Sequence, residues 1–268
     1  MRLRKSIAAV IVIVAAVALL VVTPLPRGRS PLLAKASSAT PAPRAPVASD
    51  RPLPAGSHLL FIGASYSIGL GATSPLDALP RLLSRDLHAS FRVDAIAGTG
   101  FQNPGRKGLG TFAQRIRTDA ATPSPQAVLI QGGRNDLHYP LSREFDAVLA
   151  TIRLARARFA QARIVLLGPV PARVPVSRRM SRLCNSIARA AAAGRASFIN
   201  PVAEHWITEA NEHRYIGNIP GHPNDAGYRY IARRLLDALP TALAASAPPA
   251  SGAHVKRDDP QSRDTRHA

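Results

Sequence analysis

Between residues 55 and 246, short apolar runs alternate with longer stretches in which apolar residues recur every three or four positions. The short runs are His58–Ile62, Phe91–Ile96, Ala127–Ile130, Arg163–Leu167 and Ser197–Asn200. Most are nearly continuous rather than alternating, the pattern of strands covered on both faces. Helical periodicity is clearest over 142–161, 177–194 and 223–239; in the first of these Val148, Ile152, Ala155 and Phe159 form the packing stripe. This order predicts a parallel sheet with helices on both sides. Such sheets bind ligands at the carboxyl ends of their strands.

The flanks break the pattern. Arg2, Arg4 and Lys5 precede an unbroken apolar or small-residue run from Ile7 to Val22, closed by Thr23-Pro24. The run is long for a signal peptide and short for a membrane span, so a cleaved export signal and a retained anchor over 1–23 both fit. In either case the body lies outside the cytoplasm and the basic flank inside. Residues 24–54, rich in Pro, Ala and Ser, read as an extended tether. The single folded domain spans 55–246, and 247–268 has the composition of a disordered tail.

Charge sharpens this division. The chain carries +19, from 35 Lys+Arg against 16 Asp+Glu. Residues 1–54 hold +7 of it, the tail +1 and the body +11. The body therefore suits work beside an anionic envelope polymer or lipid. It has no nucleic-acid motif or aromatic platform, which argues against nucleic acid as a partner. One cysteine excludes an internal disulfide and a Cys-based zinc cluster; Cys184, at helical spacing with Met180, Leu183 and Ile187, reads as an inert core thiol.

The candidate chemistry lies just after the apolar runs. The first is followed by Gly63-Ala64-Ser65-Tyr66-Ser67, the second by Ala97-Gly98-Thr99-Gly100-Phe101, and the third by Gly132-Gly133-Arg134-Asn135-Asp136. Gly221-His222-Pro223-Asn224 precedes the last helix. A serine, a backbone-exposing glycine, an asparagine amide and a histidine supply a nucleophile, oxyanion donors and a base. Over about 59–238 these four blocks resemble the SGNH hydrolases, also called GDSL-like esterases and lipases. The resemblance implies a three-layer α/β/α domain with a flavodoxin-like parallel sheet of order 2-1-3-4-5. It also implies ester hydrolysis through an acyl-serine, with Ser65 as nucleophile and His222 as base. Ser65, Gly100 and Asn135 would form the oxyanion hole, and no metal or cofactor is implied.

Two positions depart from the family pattern. Ala64 stands where an Asp usually precedes the serine, and Ile219 where the acid usually stands three residues before the histidine. The substitute acceptors for the histidine are Asn218, a backbone carbonyl of 216–220, or Glu204, Glu209 or Glu212, with the first two favoured because they need no distant side chain. The expectation is a Ser–His dyad. Arg134 is a candidate for an anionic substrate group, and Tyr66 and Phe101 for pocket walls. Gly98 reads as a turn residue, and His138, His205 and His213 as surface or packing residues. The leading function is an exported serine esterase that removes an acyl group, such as acetyl, from an envelope glycan, a lipid or a small ester. An acyltransferase to an envelope sugar and a non-catalytic binder of anionic polymer are the alternatives.

Overall fold

The computed structural model describes residues 53–119 and 123–246. The N-terminal apolar run, most of the tether and the tail lie outside the described residues. Among the described residues no helix is long and apolar enough to cross a membrane.

Five strands form one parallel sheet: β1 (His58–Gly63), β2 (Ser90–Ala95), β3 (Ala127–Gln131), β4 (Arg163–Leu167) and β5 (Ser197–Ile199). Their order is β2-β1-β3-β4-β5, as the resemblance implied. β1 pairs with β2 from His58↔Ser90 to Gly63↔Ala95 and with β3 from Leu59↔Ala127 to Ile62↔Ile130. Side chains of successive strand residues point to opposite faces, and the helices divide accordingly. Leu59, Phe61, Leu129 and Val165 pack against α1 (Leu79–Leu87) and α6 (Asp225–Ala245). Leu60, Ile62, Val128 and Ile164 pack against α2 (Phe112–Thr118), α3 (Glu144–Arg158) and α4 (Arg178–Ala193). Each fully buried aliphatic side chain contributes roughly 1.5–3 kcal/mol, which is why the three central strands read as unbroken apolar runs.

Periodicity located α3, α4 and the start of α6 to within a few residues. The last helix runs six residues beyond 239, through Pro240. Proline removes one helical donor, but Leu239, Ala242 and Leu243 are buried, so packing carries the helix past it. Strand β2 is an edge strand with Val93 exposed, not a strand covered on both faces. Helix α2 is held by a Thr111–Gln114 capping box. The one-turn helix α5 (Glu212–Tyr215) leads into the histidine segment.

The chain turns to opposite sides of the sheet after β1 and before β3. The crevice at their carboxyl ends is the switch point where such sheets hold ligands.

Candidate active site

Strand β1 delivers Ser65 to this crevice. Beyond Gly63 the backbone coils tightly, with the Ser67 and Ile68 amides both donating to the Ala64 carbonyl. Gly63 is required there: a Cβ would lie 1.8 Å from Ser67 Oγ. Ser67 Oγ in turn donates to Gln131 Oε1 at 3.1 Å, tying the loop to the end of β3.

His222 arrives on a hairpin. Ile216 pairs antiparallel with Pro223, and the Gly217 amide donates to the His222 carbonyl. The His222 amide closes a turn onto the Ile219 carbonyl at 3.0 Å. Pro220 and Gly221, with φ +77°, occupy its central positions, the residue signature of a type II turn. Helix α6 begins just beyond, capped by Asn224, whose side chain accepts from the Gly227 amide.

The turn brings His222 Nε2 to 2.9 Å from Ser65 Oγ and Nδ1 to 3.0 Å from the Pro220 carbonyl oxygen. A carbonyl only accepts, so Nδ1 carries the proton and the Nε2 lone pair faces the serine hydroxyl. The favoured side-chain candidate, Asn218, is therefore not the orienting group. The turn supplies a main-chain acceptor two residues from the ring, and Ile219 is half-exposed with no polar group to offer.

A second contact fixes this turn. Tyr66 Oη donates to the Gly221 carbonyl at 2.9 Å, and Arg134 Nη1 donates to the same oxygen. The Tyr66 ring lies 5.5 Å from the imidazole, and burial pushes its phenol above the ordinary tyrosine range, so it stays a donor. A side chain at Gly221 is disfavoured by its φ of +77°, and its Cβ would lie 1.9 Å from Arg134 Nη2, so Arg134 would have to move.

Asn135 follows β3, and its Nδ2 donates to the Thr99 carbonyl at 2.8 Å. That bond fixes the amide, because its oxygen cannot face a carbonyl, and it leaves one N–H of Nδ2 for a ligand. The neighbouring Asp136 is fully buried and accepts from the Phe101, Gln102 and Asn103 amides at 2.8–3.0 Å. Burial raises its pKa while these three bonds lower it. Glu144, buried behind Gln102, is pushed up to about 8, first by burial and then by the Asp136 charge.

The expected oxyanion glycine needs correction. The Gly100 amide is already committed to the Asn103 carbonyl at 2.8 Å, and Gly100 is absent from the cavity wall. Its lack of a side chain serves packing: a Cβ would lie 2.4 Å from both carboxylate oxygens of Asp136. Gly98 lines the cavity instead. It sits at φ +80° in a turn closed by the Thr99 amide on the Ile96 carbonyl. Among the described residues its own amide has no acceptor, as is also true of the Ser65 amide. Phe101 is likewise not a pocket wall: it is buried against Phe112, ring centroids 5.0 Å apart.

The resulting cavity of about 390 Å³ brings together Ser65, Tyr66, Gly98, Arg134, Asn135 and His222. Sequence reasoning missed His138, which with Leu70 and Leu137 also lines it. The signal available was position, a few residues beyond Asn135. Cys184 is buried in the core, its thiol pushed up to about 12 by burial, and it stands outside the cavity wall.

Burial, and more weakly the Arg134 charge, hold the His222 pKa below the ordinary histidine value, while the bond to Pro220 opposes them. The neutral ring is the form able to take a proton. Activity should therefore rise with pH along an acid limb centred below about 6.5 and stay level through neutrality. A kcat/KM–pH profile checks this; a limb centred above 7 would contradict it.

An α/β/α sheet presenting serine, histidine and converging amide donors at its switch point defines an acyl-transferring serine hydrolase. Residues 61–230 match the GDSL-like lipase/acylhydrolase family, and the chain belongs to that family. It is 30% identical over 183 residues to the GDSL lipase Rv0518 of Mycobacterium tuberculosis, covering 65% of this chain and 78% of that one. The fold is similar to that of a family 2 carbohydrate esterase from Corynascus thermopiles, with a TM-score of 0.54 and 21% identity over 70% of this chain and 68% of that one. TesA is similar at a TM-score of 0.54 and 21% identity, covering 69% of this chain and 99% of that one. The chain is a serine ester hydrolase of this family.

Proposed function

We propose that the protein is an exported esterase that removes acyl groups, acetyl among them, from esters of an envelope glycan, a lipid or a small alcohol. The Ser65–His222 hydrogen bond of 2.9 Å, with Nδ1 held on a main-chain carbonyl, carries the reading. Ser65 Oγ attacks the ester carbonyl as its proton passes to His222 Nε2. The oxyanion is received by the Ser65 and Gly98 amides and the remaining N–H of Asn135 Nδ2. Collapse breaks the C–O bond, His222 returns the proton to the departing alcohol, and Ser65 keeps the acyl group. Water then attacks, giving its proton to His222 and its hydroxyl to the carbonyl carbon, and the acid leaves as Ser65 regains its hydrogen.

The Pro220 carbonyl fixes the tautomer, which is much of what the acid of a triad does. It carries no full charge, so it stabilises the imidazolium less, and the dyad works more slowly than a triad. Export rests on the basic flank and apolar run at the N-terminus, and a substrate near the envelope rests on the tether that follows. Hydrolysis of 4-nitrophenyl acetate by the purified protein, lost in Ser65→Ala, tests the chemistry.

A further inference from the structure

We infer that Arg134 is an anion receptor and that the preferred substrates carry a carboxylate or phosphate close to the scissile ester. This rests on the esterase reading and names the substrate class for that site.

Arg134 is half-buried in the cavity wall that contains Ser65 and His222. Among the described residues no Asp or Glu lines this cavity, and the position directly before the serine is Ala64. Among the described residues Arg134 forms no ion pair with a carboxylate. Its recorded partners, the Gly221 carbonyl and the Tyr66 hydroxyl, are neutral, so its charge is held but not cancelled.

The manner of holding matters. Both contacts use Nη1. Among the described residues the Nε and Nη2 donors, which form the side edge of the guanidinium, have no hydrogen-bond partner, and Nη2 lies against the Cβ-less face of Gly221. That edge matches the two oxygens of a carboxylate or phosphate. An arginine already fixed by a carbonyl and a phenol loses little further freedom when such a group docks, so the receptor is preorganised. The effect on His222 has the same origin: a positive charge uncompensated by a nearby acid helps keep the imidazole neutral. Arg134 lines the same cavity of about 390 Å³ as Ser65, Asn135 and His222, so an anion held by its Nε–Nη2 edge stays within one small substrate's reach of the reacting carbonyl.

Two ester pairs test this, each an anion against its neutral methyl ester. The pair 4-acetoxybenzoate and methyl 4-acetoxybenzoate places the charge on the alcohol side. The pair mono-4-nitrophenyl adipate and methyl 4-nitrophenyl adipate places it on the acyl side. Each kcat/KM is divided by the ester's own hydroxide-catalysed rate. In the wild type at low salt, at least one pair should favour the anion by about 10-fold, and added NaCl should erode the preference. Arg134→Gln should bring that ratio to about one, and Arg134→Lys should retain part of it. The ratio is the readout because Arg134 also braces the His222 turn, so absolute rates will fall in both variants. Absence of preference in both wild-type pairs, or a preference that survives Arg134→Gln, would overturn the inference. Hydrolysis that survives Ser65→Ala would overturn the esterase reading instead.

Discussion

Ser65→Ala should reduce kcat for short aryl esters by about 10³–10⁵ while leaving the thermal transition within a few degrees of the wild type. The size follows from what the hydroxyl does. Without it there is no acyl-enzyme, and the residual rate is what the oxyanion donors and binding provide, which in triad enzymes is still well above the rate in water. A dyad with a neutral acceptor starts from a lower wild-type rate, so the drop falls short of the roughly 10⁶ seen where a complete triad is lost. The fold should not suffer. Ser65 Oγ bonds His222 alone among the described side chains, while the Ser65 carbonyl, which an alanine retains, accepts the Leu70 amide. Michaelis constants and circular dichroism measured beside kcat distinguish lost chemistry from lost structure.

Asn135→Ala should lower kcat by about 10²–10³ with little change in KM, the typical result of removing one oxyanion donor. The substitution deletes the free N–H of Nδ2 and also the bond to the Thr99 carbonyl, which helps place the 96–99 turn carrying Gly98. Two donors are thus affected by one change, so the loss belongs near the upper end of that range. Asn135→Asp keeps the size but sets a carboxylate where the oxyanion forms, and should do no better than alanine. A rise in KM with kcat preserved in both variants would assign Asn135 to ground-state binding instead.

How much of this was legible in the sequence varies by residue. The continuous apolar runs gave the central strands because those strands are covered on both sides, and the run Phe91–Ile96, interrupted by Arg92 and Asp94, located β2, whose polar positions suit an edge strand. The strand order came from the family resemblance, since periodicity carries no order. Helices α1 and α2 were not named, although Leu79, Leu82 and Leu83 and the Thr111–Gln114 cap were available as signals.

At the site, Ser65, Asn135 and His222 are brought together in one wall. The Gly-Thr-Gly run offered two glycines of the same type. Only the backbone pairing separates them, with Gly100 committed to Asn103 and Gly98 left open to the cavity. The acceptor for His222 was legible as one of the two favoured readings, a carbonyl of 216–220, but not as a particular residue, because a carbonyl belongs to every residue. What selects Pro220 is the Pro-Gly turn, a local signal that reads as loop until the hairpin of 216–223 places it beneath the imidazole. Phe101 was assigned to the pocket by adjacency alone; its amide is held by the buried Asp136 and its ring packs into the core against Phe112.

The central claim is that Ser65 is a covalent nucleophile activated by His222 without a carboxylate. The most direct measurement is the mass of the folded protein after incubation with a fluorophosphonate, followed by peptide mapping. One adduct is expected, on the peptide containing Ser65, absent from Ser65→Ala and formed far more slowly in His222→Ala. Folded protein that stays unmodified, or an adduct on any other residue, would contradict the account.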